Sequence, residues 1–221
     1  MDNYCITKGD LVMKKIVFVT LMMADDMYKR HYPVDGNTFI EYSGELYYAI
    51  NAVLARTMKK DDEVKVVLLE TKAGESAGKK NAQLFINELN EINHNNDIGA
   101  KITYDVISSR FLTSKKGLND IYLKLIKNFE SDVELSADIT FGPKSLPLLI
   151  FAAMQFGEKF FDCSIGNVIY LKTEFKNGKL DESSQIICDY TPLYLLNSFT
   201  NTIECSSGEK AIAAVEALFE N

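Results

Sequence analysis

Four strand-length runs, near-continuously apolar in the first two and each followed by a longer amphipathic or apolar stretch, limit the folds open to this chain: Lys14 to Met23 (KKIVFVTLMM), Glu63 to Thr71 (EVKVVLLET), Lys101 to Ser108 (KITYDVIS) and Val133 to Thr140 (VELSADIT). A strand with one wet face alternates apolar and polar residues; a near-continuous apolar run belongs to a parallel sheet covered on both faces. Helical periodicity fills the intervals. Ser43 to Lys60 reads as a helix with Ser43 as N-cap, and Gly78 to Ile92 as a second with Leu84, Leu89 and Ile92 among its apolar positions. Lys115 to Phe129 is a third, and a fourth follows the Gly-Pro-Lys-Ser turn at 142–145.

After Phe161 the rhythm changes. Ile165 to Phe175 and Ser183 to Tyr190 are strand-like runs separated by KNGKLDE, whose Asn177-Gly178 is a hairpin turn signal. Thr191-Pro192 opens a short helical segment over Leu193 to Phe199, and a Ser/Gly break precedes an alanine-rich helix. The expected fold is therefore α/β: a doubly wound, Rossmann-like, mainly parallel sheet with an antiparallel C-terminal hairpin and terminal helices. It is expected as one domain over residues 1–221, with a core over about 14–175 and the hairpin and helical part over about 165–221.

Composition narrows the function classes. No stretch reaches the roughly 18 apolar residues of a membrane span, and Asp2 and Lys8 to Asp10 do not resemble a signal peptide. The expectation is a cytoplasmic chain with no membrane partner. Cys5, Cys163, Cys188 and Cys205 form no C-x-x-C pair, and with His31 and His94 as the only histidines they define no metal site, so reduced structural thiols and no cofactor are expected. A formal charge of −7 argues against a surface that coats duplex nucleic acid.

Ligands of such sheets sit outside the carboxyl ends of the strands. Cations follow each strand there: Lys29, Arg30 and His31; Lys72, Lys79 and Lys80; Arg110, Lys115 and Lys116; and Lys144, diluted by Asp25, Asp26, Asp35 and Glu75. They are either solvated loop charges or the surround of a phosphate-bearing ligand. ETKAGESAGKK is not a P-loop, since Gly74 and Gly78 enclose three residues and Lys80 stands where a magnesium-holding hydroxyl belongs. The loop TLMMADDMY contains no glycine for a dinucleotide pyrophosphate. The turn at 142–145 fits an anion better. Gly142 admits close approach of the main chain, Pro143 fixes the bend, and Ser145 is the expected cap. Lys144 opposes the helix dipole unless an anion is bound.

Taken together, the tyrosine-rich segment YKRHYPVDGNTFIEYSGELYYAINAVL, the strand and loop VVLLETKAG, the turn DITFGPKSLPLLIFAA and CDYTPLYLLNSF near the end resemble the CRISPR-associated Rossmann fold, or CARF, domains of type III CRISPR systems, in particular a tyrosine-rich subgroup. The resemblance runs from about Lys14 to Phe219. It implies a homodimeric sensor whose paired strand-end loops hold a cyclic oligoadenylate, the second messenger of an antiviral defence. Cyclic tetra-adenylate can match a two-fold dimer, each protomer holding half of the ring.

The ligand-binding residues implied are Thr20, Leu21, Thr71, Lys72, Gly142, Pro143, Lys144 and Ser145. Tyr28 and Tyr32 are either adenine-facing rings or core and dimer packing. Relatives usually continue into an effector domain, which is absent from this chain, and no R-x4-6-H ribonuclease motif is present. Two further readings stand beside the sensor. One is a metal-independent ring nuclease, in which a ribose 2′-hydroxyl attacks the adjacent phosphorus with Lys144, Ser145 and Thr71 as candidate catalytic groups. The other is a structural dimer without a nucleotide ligand.

Overall fold

The structure, a computed structural model, describes residues 12–23, 27–72, 77–110, 114–177 and 179–219. Its core is a seven-stranded sheet in the order β2-β7-β6-β5-β1-β3-β4. The strands are β1 (Lys14–Thr20), β2 (Val34–Asp35), β3 (Glu63–Lys72), β4 (Lys101–Arg110), β5 (Glu134–Asp138), β6 (Ser164–Lys176) and β7 (Lys179–Asp189). The helices are α1 (Ala49–Thr57), α2 (Ala77–Asn95), α3 (Lys115–Ile126), α4 (Ser145–Phe161), α5 (Thr191–Thr202) and α6 (Gly208–Phe219). All neighbouring strands run parallel except the β6–β7 hairpin.

The apolar run of β1 has the predicted cause, whereas β4, at the sheet edge, buries only Ile107 among its described side chains. Along β1, Val17 and Val19 enter a core shared with α1 and α2, while Ile16 and Phe18 enter a second core shared with α3, α4 and Tyr194 of α5. Both faces of the strand are thus covered, and both parities must be apolar. β1 pairs with β3 on one side and with β5 on the other, so the chain reverses its direction of travel across the sheet between β1 and β5. In sheets of this kind that reversal opens the crevice where ligands bind.

Several boundaries differ from the sequence reading. The first helix begins at Ala49 rather than Ser43, because its N-terminus is served from another element. Glu88 of α2 accepts hydrogen bonds from the N–H groups of Tyr47 (2.6 Å) and Tyr48 (3.1 Å) and from Asn51 Nδ2 (2.8 Å). Burial pushes the Glu88 carboxyl up from its ordinary range, and the same hydrogen bonds oppose the shift. β1 stops at Thr20, short of Met23, and β5 at Asp138, short of Thr140. β2, absent from the sequence reading, pairs Val34 and Asp35 with Ile187 and Cys188 of β7. β6 continues seven residues beyond Ile169, the partner of Asp138, so the hairpin projects past the carboxyl edge of the sheet.

Candidate functional site: the turn between β5 and α4

Three strands meet at this turn. Thr20, the last residue of β1, is completely buried; its hydroxyl donates to the Asp138 carbonyl (3.0 Å) and accepts from the Phe141 N–H (2.9 Å). On the other flank the Ile139 N–H donates to the Ile169 carbonyl (3.0 Å), and the Leu171 N–H donates to Thr140 Oγ1 (2.9 Å). The segment from Asp138 to Phe141 is therefore tied to both neighbouring strands. Phe141 sets its ring edge-on against buried Tyr48, 6.2 Å between centroids, so a tyrosine of the tyrosine-rich segment supports the turn from beneath.

Gly142 then takes φ +82°, a conformation L side chains rarely adopt, and lies exposed. Pro143 is buried, and its carbonyl accepts from the Leu146 N–H at 2.9 Å. Lys144 is the N-cap residue, helical in backbone and without a side-chain cap, so the expected cap at Ser145 is corrected: Ser145 is the first helical residue. The capping hydroxyl is missing because the chain is already coiled at Lys144, which puts the Ser145 side chain inside the first turn. Among the described residues the N–H groups of Lys144 and Ser145 have no internal acceptor. Those donors, the helix dipole and the exposed Lys144 side chain form a positive end.

A second observation points to a ligand at this place. Thr71, near the end of β3, is 5% exposed, and its hydroxyl oxygen is buried without a partner among the described residues. It lies 3.6 Å from where a β-carbon on Gly142 would sit. The turn thus passes over the end of β1 to reach β3, and brings an unused hydroxyl to the bare side of a glycine. A buried hydroxyl without a partner costs about 1–3 kcal/mol, and such groups in a folded protein call for an explanation.

The predicted residues therefore divide. Thr71, Gly142, Lys144 and Ser145 are brought together, with Pro143 as the buried hinge behind them. The side chains of Thr20 and Leu21 do not reach the edge: the first spends its hydroxyl on the turn and so positions the loop, and the second is in the core. The side chains of Lys72, Lys79 and Arg110 lie outside the described residues. Three of the strand-end cations are used internally: Lys29 lies 5.3 Å from the Tyr47 ring centre, Arg30 donates to Gln185 (2.6 Å), and His31 is 3.4 Å from Glu41. Tyr32 is core, its hydroxyl donating to the Tyr47 carbonyl at 2.7 Å, whereas Tyr28 is 60% exposed.

Asp138 was not anticipated. Its Oδ1 accepts from the Thr140 N–H at 2.9 Å, while Oδ2 is buried without a partner among the described residues. Burial pushes the carboxyl up to about 6, opposed by the Thr140 hydroxyl and N–H. A carboxyl with a raised folded pKa holds its proton more tightly folded than unfolded. Stability therefore falls as pH rises from the ordinary 3.8 through about 6. Asp138→Asn keeps the acceptor for Thr140 and removes the charge. It is expected to flatten this dependence and to raise stability above pH 7 by about 1–2 kcal/mol, read by urea unfolding across the pH range. An unchanged pH slope would assign the effect to another group.

A cavity of about 310 Å³ lies at the opposite ends of the strands, lined by Lys14, Lys15, Glu63, Lys65 and Lys101 among others. Lys15 is held there by the Thr57 carbonyl (2.7 Å) and Asp62 (3.3 Å), Lys14 by Glu130 and Lys65 by Asp105. Lys14, Lys15 and Lys65 thus have anionic partners, whereas Lys144 has none among the described residues. Among the described residues Cys163, Cys188 and Cys205 are free thiols, and no helix is long and apolar enough to cross a membrane. No family model and no curated protein matches the chain.

Proposed function

We propose that this chain binds a cyclic oligoadenylate, cyclic tetra-adenylate by preference, as a homodimeric sensor domain in type III CRISPR antiviral signalling. The observation that carries the reading is the buried Thr71 hydroxyl, without a partner among the described residues, beside Gly142 at the foot of a helix N-terminus that bears Lys144. A phosphodiester oxygen accepts from Thr71 and from the free N–H groups at once, and its charge is met by Lys144 and the helix dipole. The resemblance of the sequence segments to CARF domains supplies the identity of the messenger. Leu148, 71% exposed within the first turn of α4, offers an apolar contact next to the site for the second protomer.

A thermal-shift panel of cyclic tri-, tetra- and hexa-adenylate tests this directly. At about 100 times its dissociation constant the preferred ring stabilises the folded state by about 2.7 kcal/mol, and the expected result is the largest shift with the tetramer. No shift with any ring would leave a structural dimer without a nucleotide ligand. The groups that bind the phosphate are also the ones that would stabilise charge in a 2′-hydroxyl attack. Chromatography of cyclic tetra-adenylate after incubation with excess protein separates the two activities: intact ring supports the sensor, linear product the ring nuclease.

A further inference from the structure

We propose that Tyr170 and Tyr190 form an aromatic platform beside the turn, on which the adenine base of the ligand stacks while its phosphate occupies the turn. Their rings are 5.3 Å apart with an interplanar angle of 18°, the one stacked pair among the described aromatic contacts; the others are edge-on or tilted. A parallel pair leaves an outer π-face parallel to itself, on which a further flat ring continues the stack.

The position follows from register. Tyr170 lies between Ile169 and Leu171, and both of those residues are hydrogen-bonded to the start of the turn, at Ile139 and Thr140. Alternation along β6 puts Tyr170 on the face that α4 covers, together with Val168, whereas Ile169 and Leu171 enter the other core. Tyr190 caps the start of α5 and is fixed by its N–H to the Val168 carbonyl at 2.7 Å. The two side chains are half-buried, and neither hydroxyl is bonded to another described residue. Two positions on from Tyr170, exposed Lys172 lies 3.7 Å from Glu174. A flat aromatic surface beside an anion-binding turn is the chemistry that recognises a nucleotide. The inference rests on the reading of that turn as a phosphate site.

The chain contains no tryptophan, so Tyr190→Trp introduces a single indole as a reporter. Adenosine monophosphate is expected to quench its emission saturably, whereas ribose 5-phosphate, with the same phosphate and no base, is expected to leave it unchanged. Tyr190→Leu is expected to lower the affinity for adenosine monophosphate about 5- to 50-fold in calorimetry. Tyr170→Trp gives a second reporter should the first variant fail to fold. The platform is overturned if adenosine monophosphate leaves both reporters unquenched, or if Tyr190→Leu binds it unchanged. Quenching by adenosine monophosphate together with no binding of any cyclic oligoadenylate would overturn the messenger and leave the platform standing. Tight binding of the ring without quenching would do the reverse.

Discussion

Gly142→Val is expected to lower affinity for cyclic tetra-adenylate by more than about 100-fold and to destabilise the fold by about 2–3 kcal/mol. Both effects have the same origin. At φ +82° a β-branched residue is strained, and its β-carbon would come within 3.0 Å of Leu146 Cδ1 and 3.6 Å of Thr71 Oγ1. Leu146 is buried in the first turn of α4, so its side chain must shift by a few tenths of an ångström against a packed core. The extra methyl groups would also cover the Thr71 hydroxyl. Gly142→Asn, which tolerates positive φ better, is expected to recover part of the stability and less of the binding. Chemical unfolding and calorimetry on both variants read the two effects separately; full affinity in a folded Gly142→Val protein would place the ligand elsewhere.

Lys144→Ala is expected to keep the fold and the dimer and to lose roughly 10- to 100-fold in affinity. That loss corresponds to one charge-assisted contact of about 1.5–3 kcal/mol. The fold is expected to survive because Lys144 is exposed and makes no side-chain cap to the helix it precedes. Removing a cation from a helix N-terminus even relieves an unfavourable interaction with the dipole when no ligand is present. Stability without ligand is therefore expected to hold or to rise slightly, while stability with ligand falls.

The parts of the molecule that were legible in the sequence are those whose cause is local. The near-continuous apolar runs at β1 and β3 declare a doubly covered sheet, Asn177 takes the positive φ that its turn demands, and Gly142 does the same at the site; β4, at the sheet edge, leaves Val106 50% exposed, and β5 is buried although its residues alternate. What stayed hidden depends on partners distant in the chain. The start of α1 moved from Ser43 to Ala49 because Glu88, forty residues beyond Tyr48, accepts its N–H groups. Thr20 read as a ligand contact at a strand mouth, yet its hydroxyl joins residues more than a hundred positions later. Lys29, Arg30 and His31 read as edge cations, but Tyr47, Gln185 and Glu41 take them up. The stacked Tyr170 and Tyr190 were visible only as aromatic residues flanking a hairpin, because their meeting depends on its register.

If the turn from Gly142 to Ser145 holds a phosphate of a cyclic oligoadenylate, affinity for the ring depends on Lys144 and on salt. Calorimetry of cyclic tetra-adenylate with the wild-type protein and with Lys144→Ala, at about 50 mM and about 500 mM salt, tests it most directly. One ring bound per pair of chains is expected, with an affinity gap of roughly 10- to 100-fold at low salt that narrows at high salt as screening removes the ionic contribution. A folded Lys144→Ala protein that binds the ring as tightly as wild type at both salt concentrations would contradict that dependence.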